Sequence, residues 1–227
     1  MNAVPIKPLL ALLAGLLLAT ACALGGRGDP VSIMSPDIPL AENDAWPQVD
    51  WTLQVRRPAA DQTRDSPRIL VRVPPSRLQP WPAAAWLDTA PEMLQSIMIQ
   101  ALEDSGRING ISRPGTARAR YSLTSELRRF EAVDSGDGDL QIELVVNVNL
   151  IHQRSSRTLA GQRFEHRARA EGSDLEAVMR AFESALAEFT PALVTWTLEE
   201  GEKAEARREE FLELRGDGGW LRRRDDS

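Results

Sequence analysis

The stretch "DSPRILVRVPPSRLQPWPAAAWLDTAPEMLQSIMIQALEDSGR", residues 65–107, changes its hydrophobic period partway along. Ile69, Val71 and Val73 recur at every second position, the period of a strand with one face buried. A basic, proline-rich connection follows, from Pro74 to Leu87, carrying Trp81 and Trp86. From Thr89 the period becomes helical. Thr89 and Glu92 stand at capping-box spacing, Pro91 suits a first helical turn, and Met93, Leu94, Ile97, Met98, Ala101 and Leu102 form one apolar stripe until Gly106 ends it. A strand followed by a well-capped amphipathic helix makes the domain a mixture of both elements.

The flanks extend that pattern. Upstream, "WTLQV" alternates Trp51, Leu53 and Val55 against Thr52 and Gln54. Downstream come three strand candidates in series: "RYSLTSELRRF", "LQIELVVNVNLI" and "RTLAGQRFEHRARA", the first two separated by the turn-forming "DSGDGD". Ser173 and Glu176 have the spacing of a second capping box. After it Leu175, Val178, Met179, Phe182, Leu186, Phe189, Leu193 and Trp196 step by three and four, with Pro191 placed to kink the helix. Consecutive strands with short connections imply hairpin pairing, so the expectation is an α+β fold, a mostly antiparallel sheet with two amphipathic helices packed on it.

The ends differ in character. Residues 1–21 contain Lys7, an uncharged apolar run from Leu9 to Ala19 and then small residues, the plan of an export signal too short for a membrane span. Cys22, the only cysteine in the chain, follows at once and has no internal disulfide partner. Residues 23–46 are rich in glycine and proline without an apolar period and are expected to form a flexible tether; residues 47–200 form the domain. Beyond it, residues 201–227 are expected to form a charged tail, helical at first and then partly disordered. Removing residues 1–21 takes away only Lys7 among the charges and moves the formal charge from −6 to −7, which disfavours a nucleic-acid partner.

Catalysis has little to work with. His152 and His166 are the only histidines and both fall in strand patterns. No nucleophile elbow, phosphate-binding loop or dinucleotide fingerprint occurs, and the acidic residues are expected on solvated helix faces and in the tail. No catalytic residue, metal site or cofactor is assigned, and the chain is not expected to be an enzyme.

The ending "LATAC" resembles a bacterial lipobox, which implies a lipid-modified Cys22 as the mature first residue. Leu18 stands one place further from the cysteine than in the commonest pattern, and Ala23, where inner-membrane lipoproteins often carry Asp, implies the periplasmic side of the outer membrane. Residues 47–200 resemble the ABC-type transport auxiliary lipoprotein family. The likeness lies in the order of the 65–107 stretch, in Tyr121, Leu123, Leu127 and Phe130 of the first downstream strand, and in Trp196 near the end of the last helix. The resemblance implies a lipid-anchored periplasmic component accompanying an ATPase, a permease and an MCE-domain protein that carries lipid between the two membranes. The alternative is a stand-alone structural lipoprotein of the envelope; self-association is left open. Trp81, Trp86 and Leu87, in a stiff proline-rich connection, are the candidate partner-binding residues, unless Trp86 covers the adjacent helix.

Overall fold

A computed structural model describes residues 30–41, 43–136 and 138–216. The export signal, Cys22 and residues 217–227 lie outside the described residues. The chain divides into two units, Met1–Val31 and Ser32–Ser227, and the architecture below belongs to the second.

Its elements are β1 (Ser32–Met34), β2 (Val49–Val55), β3 (Arg68–Val73), β4 (Arg77–Trp86), α1 (Ala90–Asp104), β5 (Ile108–Ser112), β6 (Tyr121–Asp134), β7 (Leu140–His152), β8 (Arg157–Arg169) and α2 (Leu175–Gly216). The strands form one sheet with β6 as its spine. Along one edge β6 pairs antiparallel with β7 over its full length, and β7 pairs antiparallel with β8. Its other edge is shared: Tyr121–Leu123 run parallel to Leu53–Val55 of β2, and Glu131–Val133 run parallel to Leu70–Arg72 of β3. Between these two contacts Ala59 bridges the gap, donating to Ser125 O at 2.9 Å and accepting from Leu127 N at 2.8 Å. Outside them, β5 lies parallel to β2, β4 antiparallel to β3, and β1 parallel to β4.

The sheet is therefore mixed, correcting the expectation of mostly antiparallel pairing. Chain order misleads because β2 and β3 do not pair with each other; both are received by the long β6. Between β2 and β5 runs a crossover that includes α1, the connection parallel strands require.

Three strands were not anticipated. β1 and the buried Ile38 and Trp46 lie within residues 23–46, expected to be a tether, β4 occupies the expected Pro-rich connection, and β5 follows α1 directly. Proline is tolerated in β4 because part of that strand leaves the ladder.

α1 begins as its sequence predicts: the Thr89 hydroxyl accepts from Glu92 N at 3.5 Å. The return half of the box is replaced. Asp88 accepts from Thr89 N at 2.7 Å, while Glu92 turns to Arg57 at 2.5 Å. α2 is capped by Asp174 rather than Ser173, through a bond from Ala177 N at 2.9 Å to the carboxylate. It runs through Pro191 as one helix to Gly216, so residues 201–216, the helical start expected of the charged tail, continue the domain's second helix.

Both helices pack against the sheet and against each other. At the centre, Trp86, Phe130 and Phe182 form a triangle of rings with centroids 4.8–5.3 Å apart. Full burial of such side chains contributes about 1.5–3 kcal/mol each, and ring geometry adds to it.

Candidate partner surface

β3 and β4 pair as Leu70↔Pro80 and then as Arg68↔Ala85, so Trp81–Ala84 bulge out opposite the single residue Ile69. A bulge re-aims side chains and ends regular pairing. Ala83 holds φ at 49°, a left-handed value costly for a residue with a Cβ. Pro82 and Ala83 are exposed; Trp81 is half-buried, one side of its ring against the core.

Beyond the bulge, side chains alternate. Trp86 points inward and is 1% exposed, whereas Leu87 is 68% exposed. The Leu87 amide donates to Met34 O at 2.8 Å, tying the end of β4 to β1. Ile33, 58% exposed, pairs in register with Ala85, and therefore lies on the same outer face as Leu87 two residues on. The structure thus separates the three residues singled out in the sequence. Trp81 and Leu87 reach solvent, and Trp86 belongs to the core, covering Phe130 and Phe182. Ile33 is an addition hidden in the sequence by the glycine and proline around it.

A second feature was missed altogether. On the sheet face away from the helices, Glu131 of β6 stands opposite Glu143 of β7, which stands opposite Arg167 of β8. Both glutamates are buried, contrary to the expectation that acidic residues would be solvated. Opposed carboxylates repel, and here each is neutralised by two guanidiniums. Glu131 is held by Arg64 and by Arg72, whose Nε donates at 2.7 Å. Glu143 accepts from Arg129 and, at 3.2 Å, from Arg167. The hydrogen bond to Glu143 raises the Arg129 pKa above its ordinary value. Beside this row a polar groove of about 400 Å³ passes over Gly161, lined by Thr124, Asn147, Asn149 and Gln162. A Cβ on Gly161 would lie 2.7 Å from Oδ1 of the exposed Asn149 side chain, which would have to turn aside to admit it. Charges paired in this way hold strands in register and leave no group free for proton transfer.

The histidines lie apart. His152 shares a 2.8 Å hydrogen bond with Ser155, and His166 faces Glu188 at 3.3 Å. Tyr121 donates from its hydroxyl to Glu205 at 2.5 Å, and Arg120 reaches the same carboxylate at 2.8 Å. Burial, followed by the bond to Glu205, pushes the Tyr121 phenol up, so it remains a donor at neutral pH.

Comparison with known proteins places the chain among relatives. The family described as "ABC-type transport auxiliary lipoprotein component" matches residues 34–194. The crystal structure of protein XCC0632 from Xanthomonas campestris is 36% identical and superposes with a TM-score of 0.73, covering 77% of this chain and 99% of its own. A further solved structure, of an uncharacterised protein 10% identical, has a TM-score of 0.58 over 73% of this chain and 97% of its own, a likeness of fold alone. No curated protein matches the chain.

Proposed function

The chain belongs to the ABC-type transport auxiliary lipoprotein components, and from that membership we propose that it is the lipid-anchored periplasmic partner of an MCE-type lipid transporter. In this reading residues 1–21 are removed on export, and acylated Cys22 holds the protein in the outer membrane, where it meets the MCE-domain protein that carries lipid between the two membranes. Each buried CH2 of an anchor contributes about 0.8 kcal/mol, so more than one acyl chain gives stable attachment. The docking surface is the Trp81–Ala84 bulge together with Leu87 and Ile33.

The single observation that carries the reading is the family match over residues 34–194. The bulge supports it, because a stiff loop held between a core strand and a capped helix loses little entropy on binding.

The test has two arms. Cys22→Ser should release the protein from the membrane fraction, and the tagged native chain should co-purify with the MCE-domain protein of the same cell. Unchanged fractionation of Cys22→Ser would remove the anchor from the proposal. Failure to recover the MCE-domain protein, the ATPase and the permease alike would leave a stand-alone envelope lipoprotein.

A further inference from the structure

A groove of about 360 Å³ opens between the last turns of α2 and the β7–β8 hairpin, unrelated to the bulge on β4. Tyr121, Leu159 and Phe211 supply its apolar lining, and Arg157, Arg207 and Arg208 stand around it. The volume is at the lower end of the range for ligand pockets, about 300–1,000 Å³. Phe211 and its neighbour Leu212 are more than half exposed.

The charge around the groove is only partly compensated. Arg208 approaches Glu205 only at 3.4 Å, and that carboxylate is already held by Arg120 at 2.8 Å and by the Tyr121 hydroxyl at 2.5 Å. Arg157 and Arg207 have no carboxylate partner among the described residues, and no acidic residue lines the groove. An inorganic anion would satisfy the arginines and leave the apolar lining wet. A neutral hydrocarbon would do the reverse. A molecule with an acyl chain and an anionic head satisfies both, since guanidinium matches phosphate in a bidentate manner.

We propose that this groove binds one acyl chain of an anionic phospholipid, with Arg157 and Arg207 on its phosphate. The chemistry of the ligand follows from the groove alone; its supply as cargo rests on the transport reading above.

Photolabelling of the full chain in dodecyl maltoside micelles tests the proposal. Phosphatidylglycerol and phosphatidylcholine, each with a diazirine in its acyl chain, are compared by mapping the labelled peptides. The phosphatidylglycerol probe should label the segments holding Leu159 or Phe211 about fivefold more than the phosphatidylcholine probe. Arg157→Glu with Arg207→Glu should abolish that preference at an unchanged thermal midpoint, because both side chains are exposed. Equal labelling by the two probes, a preference that survives the double substitution, or full competition by inorganic phosphate would each overturn it, as would an unlabelled groove. Micelles require neither anchoring nor a transporter, so a negative result counts against the groove and leaves the anchoring and co-purification tests to stand separately.

Discussion

Gly201 lies directly against the indole of Trp51, so closely that a Cβ on the glycine would clash with the Cε2–Cζ2 edge of the ring. Trp51 is 4% exposed, stacks edge-on against Tyr121 at 5.3 Å and reaches Glu202 through its Nε1 at 3.4 Å. A glycine inside a helix ordinarily costs about 1 kcal/mol relative to alanine. Here the close approach outweighs that cost, because it lets α2 continue along the sheet past β2.

Gly201→Ala is therefore expected to destabilise the domain despite better helix propensity. Overpacking costs about 1–3 kcal/mol, with the propensity gain of about 1 kcal/mol set against it. Urea denaturation should show a lower midpoint, and a rise would mean that the helix end moves away at no cost.

Removing one member of the buried charge row should be expensive. Glu131 is fully buried between Arg64 and Arg72. Glu131→Ala is expected to cost about 3–5 kcal/mol, the range for leaving buried charges unpartnered. Glu200→Ala, which breaks the exposed contact with Lys203, should cost under about 0.5 kcal/mol. Similar losses for the two variants, compared by chemical denaturation, would show that the buried row carries no special weight.

Trp81 and Trp86 should behave differently although they are close in sequence. Trp86→Ala removes one corner of the ring triangle and is expected to cost about 3–5 kcal/mol. Trp81→Ala with Leu87→Asp should lower recovery of the MCE-domain partner by about tenfold or more, the loss expected of a central apolar contact. Its thermal midpoint should fall far less than that of Trp86→Ala. Loss of binding only in step with loss of stability would assign Trp81 to the core.

The first turn of α2 should make stability depend on acid. The backbone N–H of Ala177 holds the Asp174 carboxyl below the ordinary carboxylate range. Its folded pKa is thus depressed, so its contribution is complete above the unfolded value of about 3.9 and is lost as pH falls through the folded value. Asp174→Asn keeps the cap without the titration. Between about pH 5 and pH 2 it should lose less stability than the native chain, measured by thermal melts. Parallel pH profiles would remove Asp174 from the acid response.

The sequence by itself determined what depends on near neighbours. The period of two in "RILVRV" and "WTLQV", the Thr89 cap, the apolar stripes of both helices and the family motifs from residue 65 to Trp196 are local patterns. Each recurs in β2, β3, α1 and α2, because strand and helix periods and a first-turn cap are set within a few residues. Only the tertiary structure decided how β2 and β3 share the edge of β6, because strand pairing joins residues far apart and leaves no mark in either period. The burial of Glu131 likewise required Arg64 and Arg72 to arrive from a distant segment. The inward turn of Trp86 and outward turn of Leu87 depended on β4 being a strand, a fact its prolines concealed. The groove at the end of α2 exists because Trp51 reaches Glu202 and Tyr121 holds Glu205, contacts between residues 151 and 84 positions apart. Composition marked that segment as a charged tail, and the hydrophobic surface that fixes it in place belongs to other strands.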